Sequence, residues 1–509
     1  MMLRISKERL MVDGRISLNI AWQKSWKNKL NCDAVWVFGK YRKNGGEWKH
    51  INLQKSSDLE FNYKNQAPEN FSAGQEANRN TIGMWIPDTK KGAFIYRLEG
   101  SGDLNINNII FDWDYKKDNI LESELKDCEI SFFGVEMVYI PESKHYIGEP
   151  EGQKSGLKNC FFTYPDNGAY NIDSENEISV AKKEGNLYCE TDSPFSRDEV
   201  PFLIPKEFPK GYKAFWYMKY SLTSQQYVNF LNTLTRRQQQ SRVASDISKD
   251  EIKNYYVMSN TKEEFERQTI VCNKIGNKED KAIKFYTYAP QRGCNIMSWG
   301  DATAYATWSG LRPVTELEYE KACRGTADPV SKEFAWGTTN IGRADIFSGA
   351  DGSGLETKVP ENGVVNCNFG CGIAPFELET VKEPRNPGFF GPISAGLFSN
   401  SQNEGVPERE NNGSSFYNVM ELSGNLWEQC VTIGNKKGRE YVGSYGNGKL
   451  DIDGFSTNED WPNRSGEGAG VRGGVFVSPT PYYVMMALRA FAGHTNERRR
   501  KHGGCRLGY

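Results

Sequence analysis

The most constraining stretch of this sequence is an uncharged run near its end, residues 475–488. Burial as a strand is the simplest interpretation of such a run. However, Pro479 and Pro481 each lack a backbone donor, which disfavours a regular central strand. The alternative is a loop, and a loop carrying Tyr482 and Tyr483 would expose apolar surface of the kind that contacts partners. The residues alone leave both interpretations open.

Composition narrows the classes of function. With 509 residues the chain forms more than one domain or one large domain. Its 63 basic and 65 acidic side chains nearly balance, so nothing indicates a nucleic-acid partner. No window approaches the ~20 apolar residues that a membrane-spanning helix needs. The first ten residues lack the apolar core of a secretory signal, so the chain either avoids that route or has lost its signal.

Cysteine and histidine usage limits the metal chemistry. The 11 cysteines cannot all pair because their number is odd, and most are predicted to be free thiols. Cys367 and Cys371 are the one close pair, but no second pair or histidine cluster completes a zinc site with them. Only 4 histidines occur, which argues against histidine-dependent catalysis.

The first 130 residues are typical of a small, all-β, sandwich-like domain. Residues 34–41 form a strand candidate, and Asn44-Gly45-Gly46 supplies a hairpin turn after it. Residues 111–115 alternate strictly, which predicts a strand with one buried face. A charged stretch at 116–127 then marks a predicted boundary, with a second domain over 131–509.

The second domain mixes helices with irregular segments. Helices are predicted to begin after Thr223, Ser298 and Thr315, each of which has capping spacing, and to end at Gly310 and Gly325 in the last two cases. Residues 235–290 are polar and charged, which predicts an exposed insertion.

Six segments of this domain together resemble the formylglycine-generating-enzyme family, or sulfatase-modifying factors. They are Met-Val-Tyr-Ile-Pro at 137–141, Asn-Ile-Met-Ser-Trp-Gly-Asp-Ala at 295–302, the segment 311–325, the segment 417–428, Arg-Gly-Gly at 472–474 and Gly-Cys-Arg-Leu at 504–507. The resemblance implies an α+β chain whose larger domain has an elaborated C-type-lectin-like fold.

The same resemblance argues against the family's catalysis. The enzymes bind copper through two cysteines shortly after Arg-Gly-Gly, and the matching positions here are Ser478 and Tyr483. A hydroxyl or a phenol does not replace a thiolate on this soft metal. Ergothioneine-type relatives hold iron with a histidine cluster that this chain does not supply. Neither copper nor iron is therefore expected, and the chain is predicted not to be an enzyme.

The family's calcium sites are implied at two places. Asn425, the Leu426 carbonyl and Glu428 match one site, in which oxygens of a tight turn converge on a hard cation. Asp345 and the Ile346 carbonyl resemble the other. The alternative is that Asn425 and Glu428 only cap and hydrogen-bond a loop.

A third group with this fold comprises variable proteins that retroelements diversify, in which a segment like residues 471–509 carries the ligand contacts. The leading hypothesis is therefore a non-catalytic binding protein, of adhesin or phage receptor-binding type, with an unknown protein or glycan ligand. It would be secreted, at the cell surface or on a phage particle. The candidate ligand-binding residues are Val475, Phe476, Val477, Ser478, Thr480, Tyr482, Tyr483, Met485, Met486, His494 and Asn496.

Two other functions stay open. One is an oxidoreductase of the same type with an altered metal site that uses Cys430 or Cys505, and the other is a structural subunit of a surface or secretion assembly. The basic run at 498–502 would suit an acidic ligand, although a solvated turn is the commoner explanation.

Overall fold

The computed structural model describes residues 3–54, 82–165, 168–190, 197–275, 281–344, 347–358, 364–370, 390–400, 408–493 and 497–509. In these ranges strands outnumber helices, and the class is α+β as predicted. None of the helices in the described ranges has the length and apolar character needed to cross a membrane.

The secondary structure consists of many short strands and six α-helices within the described residues. The strands are β1 Arg4–Leu10, β2 Arg15–Lys27, β3 Asp33–Lys43, β4 Lys49–His50, β5 Leu53–Gln54, β6 Ile82–Trp85, β7 Ala93–Arg97, β8 Gly100–Trp113, β9 Cys128–Ile140, β10 His145–Ile147, β11 Phe161–Thr163, β12 Tyr170–Ile172, β13 Ile178–Val180, β14 Leu187–Cys189, β15 Phe202–Ile204, β16 Phe215–Met218, β17 Ile270–Cys272, β18 Phe285–Thr287, β19 Arg312–Pro313, β20 Phe347–Ser348, β21 Thr357–Lys358, β22 Glu428–Val431, β23 Ala469–Arg472 and β24 Leu507–Gly508. The helices are α1 Ser224–Leu231, α2 Arg236–Arg242, α3 Trp299–Ser309, α4 Glu316–Arg324, α5 Glu408–Asn412 and α6 Lys436–Arg439.

Two sheets pack face to face, and most of their strands come from the first third of the chain. A four-stranded sheet has the order β1-β2-β8-β5, and an eight-stranded sheet runs β19-β24-β16-β9-β3-β7-β6 with β4 against β3. Leu18 and Trp22 of β2 meet Val35 and Val37 of β3 in the core between them. The other face of β3 turns Trp36 towards the main core, so that the larger sheet is buried on both sides.

The predicted domain boundary at residues 130/131 falls inside a strand. β9 pairs with β3 along its whole length, from Asp33 opposite Val138 to Lys43 opposite Cys128. Its second half also pairs with β16. The charged stretch 116–127 contains a turn and a short 3-10 helix, Glu122–Asp127. One sheet joins the residues before and after the predicted boundary.

The described part of the predicted exposed insertion at 235–290 is exposed in some residues and buried in others. Ile247, Val257 and Ile270 are fully buried and belong to the main core. Some polar side chains are buried as well: the Gln239 amide donates to the Leu231 and Ile283 carbonyls, at 3.0 and 2.9 Å. The composition of a segment does not reveal hydrogen-bond partners that lie many positions away in the sequence.

The three predicted helix starts are confirmed. Thr223, Ser298 and Thr315 accept hydrogen bonds from the backbone three residues on, and a capping box completes each start. Gly310 ends α3 in the left-handed conformation, with φ of 75°.

Candidate functional site

The C-terminal segment leaves the sheet at a pair of glycines. β23 pairs with β22, with Arg472 opposite Glu428, and Gly473 and Gly474 follow with φ of 87° and 74°. A Cβ at Gly473 would lie 2.6 Å from the Leu422 carbonyl oxygen. Glycine is therefore required here both by the backbone conformation and by the close approach.

Two arginines on either side of the following loop hold it to α4. Arg472 Nη1 lies 3.0 Å from Glu316 Oε2, and its Nη2 lies 2.6 Å from Glu320 Oε1. Arg489 Nη2 lies 2.9 Å from Glu316 Oε1. Burial raises the pKa of Glu316, but the charges of Arg489 and Arg472 outweigh it, and the resulting pKa lies below the ordinary value. The carboxylate is thus ionised and shared between both ends of the loop.

The uncharged run 475–488 forms a loop and not a strand, since its only regular element among described residues is a 3-10 turn, Pro481–Val484. Its side chains divide into two groups. The candidate ligand-binding residues Val475, Phe476 and Met486 are buried, at 4%, 0% and 0% exposure, and do not lie on an outer surface.

These buried side chains fill specific gaps below the loop. Phe476 packs on Leu426 and lies edge-on to His502, with ring centroids 4.9 Å apart. Met486 joins the core cluster that contains Tyr319 and Cys430. By contrast, Val477, Thr480, Tyr482 and Met485 are partly exposed, and Tyr483 is 38% exposed. His494 and Asn496 lie outside the described residues.

A cleft of about 230 Å³ opens beside the two glycines. It brings together Ser478 and Tyr483, the two positions at which the resemblance places metal ligands. Its walls are Trp427, Val471, Arg472, Gly473, Gly474, Val475, Val477, Ser478, Pro479, Tyr483, Leu488, Ala490, Phe491 and His502. The sequence predictions missed Trp427, Phe491 and His502, although Trp427 stands in one of the matching motifs.

The polar groups of the cleft are few. Ser478 is 4% exposed, and its hydroxyl accepts a hydrogen bond from the Val475 amide at 2.9 Å. It therefore holds the turn. Burial, together with the charge of Lys501, lowers the pKa of His502 to about 4, so the imidazole is neutral at pH 7.

The cleft does not fit the copper chemistry of thiolates. The described residues that line it include no cysteine. Cys430 is fully buried in the core cluster behind β22, and Cys505 is 1% exposed in the main core. Burial raises the pKa of both thiols. Within the described part of the chain, no group of three or more His, Cys, Asp or Glu side chains is placed to hold a metal ion.

The candidate calcium turn is held by protein hydrogen bonds. The Asn425 side-chain oxygen accepts from the Ile393 amide at 3.0 Å and from Asn368 at 3.2 Å. Glu428 Oε1 accepts hydrogen bonds from the Arg506 guanidinium and from the Ser221 hydroxyl. Of the side-chain oxygens of Asn425 and Glu428, Glu428 Oε2 is the one that has no hydrogen-bond partner among described residues, whereas calcium takes six to eight oxygens. These residues, with the buried Leu426 between them, do not fit the ion, and Asp345 and Ile346 lie outside the described residues.

The members of the basic run differ in their partners within the described residues. Arg499 pairs with Asp301 at 2.9 Å, and Lys501 lies 3.7 Å from Glu266. The Arg500 guanidinium instead lies 5.4 Å from the centre of the Trp427 ring. Burial lowers its pKa, and it has no carboxylate partner within the described residues. It lines a small groove that shares Trp427 and Val471 with the cleft.

The sequence of this chain is similar to those of one known protein family. A family model for the sulfatase-modifying factor enzyme 1-like domain matches residues 172–507. The formylglycine-generating enzyme of Thermomonospora curvata is 30% identical over 135 residues, which cover 26% of this chain and 31% of that protein. The enzymes of Streptomyces coelicolor and Mus musculus are 51% and 49% identical over 41 residues, 8% of this chain and 12% and 10% of theirs.

The family model therefore matches most of the chain, whereas the alignments to the individual enzymes are short. It spans about a third of the Thermomonospora enzyme and about a tenth of the other two. The mixture of many strands with few helices is consistent with the C-type-lectin-like fold that the sequence motifs imply.

Proposed function

Because the chain belongs to the sulfatase-modifying factor family, we propose that it uses the family's cleft to bind a ligand without catalysis. The observation that carries this proposal is the cleft's lining: Ser478 and Tyr483 stand where two thiolates are needed, and no described lining residue is a cysteine. A soft metal ion that depends on thiolates has no ligand set in such a cleft.

The geometry of the cleft supports binding. Arg472, Arg489 and Glu316 fix both ends of the loop, and Ser478 fixes the turn within it. A rigid loop loses little entropy when a ligand binds. Its exposed side chains include Tyr482 and Tyr483, whose rings lie edge to face with centroids 5.3 Å apart. Rings of this type supply rigid contact area at low entropic cost.

The charges next to the cleft indicate the chemistry of the ligand. Arg500 is a half-buried cation without a carboxylate partner in the described residues, and its neighbour is the ring of Trp427. A buried charge without a partner costs free energy, and an anionic ligand group would remove that cost. We therefore propose a protein or peptide ligand with an apolar side chain for the cleft and a carboxylate for Arg500.

Two measurements test the proposal together. Purified protein supplied with copper is incubated with a sulfatase-type peptide that contains cysteine, and mass spectrometry follows the cysteine. We expect the peptide to remain unchanged, and oxidation of its cysteine would refute the non-catalytic assignment.

Selection from a random peptide library tests the binding itself. We expect acidic peptides that bind the wild-type protein and lose affinity with Arg500→Ala. Arg464→Ala is the control, since Arg464 also lies over an aromatic ring, that of Phe455, but does not line the groove that Arg500 lines. Peptides that bind all three proteins equally would exclude Arg500 as the anchor.

The second candidate is an oxidoreductase with an unfamiliar metal site, which the names of the curated relatives favour. It would have to use thiols such as Cys430 or Cys505, both of which are buried. Copper titration with a thiol-specific probe separates the two functions, because tight copper binding that protects a thiol supports only the oxidoreductase.

Retroelement diversification of residues 471–509 remains part of the binding proposal. Sequencing around the gene tests it: a reverse transcriptase and a near-copy of the 3′ end that differs at adenines are expected. Since Phe476 and Met486 are core side chains, the differences should fall at exposed positions such as Thr480, Tyr482 and Tyr483.

A further inference from the structure

A second cavity lies away from the cleft, where the N-terminal strand meets α1. Its volume is about 270 Å³. Main-chain and side-chain atoms of β1, β9 and α1 form its walls, together with Gln291. The volume is slightly below the range typical of sites for drug-sized ligands, which indicates a ligand of about one ring.

Uncharged amides form the polar side of this cavity. Gln225 and Asn229 are four residues apart on α1 and therefore share a face, and the Gln225 amide donates to the Asn229 oxygen at 2.8 Å. That bond leaves the Gln225 oxygen as an acceptor and the Asn229 nitrogen as a donor. The half-buried Gln291 side chain makes no hydrogen bond within the described residues. The wall thus offers both donors and acceptors.

The two charged residues that line the cavity, Arg4 and Glu136, have opposite signs. Lys219 forms ion pairs with both Glu136 and Asp33, with Nζ–O distances of 3.4 and 3.1 Å. These three side chains together carry one net negative charge. Arg4 lies at the exposed rim and offsets it. A strongly charged ligand would gain little from such a site.

The cavity also has apolar lining residues. Leu3, which precedes β1, and Ile5 of β1 are partly buried there, whereas Val135 and Met218 are almost fully buried. A ligand that matches both the amides and the apolar side chains has one C–H face and a rim of groups that donate and accept hydrogen bonds. A pyranose ring has this arrangement, because each hydroxyl both donates and accepts.

We propose that this cavity binds a single uncharged sugar unit through Gln225, Asn229 and Gln291. The site is separate from the cleft at the C-terminal loop: the two share no lining residue. It would let the protein attach to a carbohydrate while the cleft engages another ligand.

Saturation-transfer NMR on the full chain tests this proposal with glucose, galactose, mannose and N-acetylglucosamine as probes. We expect transfer to at least one of the four sugars. Gln291→Ala and Asn229→Ala should each weaken that binding by about tenfold, as expected for the loss of one good hydrogen bond. The matched control is Gln23→Ala, an exposed amide on β2 that lies outside the cavity.

Thermal unfolding of each variant serves as the control that it remains folded. Absence of transfer to all four sugars from the folded wild type would overturn the proposal. Equal transfer in the wild type, both cavity variants and the control would overturn it as well, since the sugar would then bind elsewhere.

Discussion

Arg489 holds the fully buried Glu316 through two hydrogen bonds, from Nε at 3.0 Å and from Nη2 at 2.9 Å. The same carboxylate accepts a third from Arg472 at 3.0 Å. One side chain on α4 therefore ties together the strand before the C-terminal loop and the residues after it. The shape of the cleft depends on this single anion.

Glu316→Gln is expected to destabilise the protein strongly. Neutralising Glu316 leaves the buried Arg489 without its carboxylate partner and leaves Arg472 with Glu320 alone. The loss of one partner of a buried ion pair typically costs about 3–5 kcal/mol. Urea unfolding measures the change. The control is Glu440→Gln, whose pair with Lys437 is exposed and should contribute below about 1 kcal/mol. Similar losses in the two variants would show that Glu316 does not hold the loop.

Gly473→Ala tests the close approach at the start of the loop. The added Cβ meets the Leu422 carbonyl oxygen at 2.6 Å, in a backbone conformation with φ of 87°. Gly45 also has positive φ, 68°, but its Cβ would meet nothing within 4 Å. We expect Gly45→Ala to cost about 1–2 kcal/mol and Gly473→Ala clearly more, measured by denaturant unfolding. If the two cost the same, the contact with Leu422 is unimportant.

The features predicted correctly from sequence are local ones. The capping residues Thr223, Ser298 and Thr315 bond the backbone three positions further on. The local sequence is therefore sufficient to predict where these helices begin. The loop at 475–488 was also favoured by Pro479 and Pro481, and Pro481 lies in the first turn of a 3-10 helix.

Burial within that loop could not be predicted because distant residues decide it. The Met486 amide donates to the Glu333 carbonyl, and Met486 packs with Tyr319, both more than a hundred positions away in the chain. The same holds for the residues of 235–290, which contact α1 and the main core. Glu316 could be recognised as a first-turn residue of a helix, but its two arginine partners could not.

Acid is expected to destabilise the fold through buried histidines. Burial, then the charge of Lys321, lowers the pKa of His145 well below its ordinary 6.5. Burial likewise lowers the pKa of His50, with Lys40 and Lys91 adding to it. Below pH 6.5 the unfolded chain therefore binds more protons than the folded one. Stability is present above pH 6.5 and is lost as the pH falls towards the folded pKa.

The size of this effect is measurable for a single residue. Each such histidine contributes a slope of up to about 1.4 kcal/mol per pH unit below 6.5. Unfolding free energies of wild type and His145→Gln are compared between pH 7 and pH 5. The variant is expected to show a flatter dependence, and an unchanged slope would mean that His145 titrates as freely in the folded protein as in the unfolded chain.

Glu428→Gln distinguishes the two interpretations of the turn that carries Asn425. In the structure Glu428 pairs with the buried Arg506, with an N–O distance of 2.9 Å, and this pair joins the start of β22 to the end of the chain. Its loss should cost about 3–5 kcal/mol whether calcium or a chelator is present, because the Asn425 oxygen already accepts two hydrogen bonds. Thermal unfolding in calcium and in EGTA measures both conditions. A loss that appears only in calcium would instead assign Glu428 to a cation, since an ion that binds only the folded state stabilises it by an amount that rises with the ion concentration.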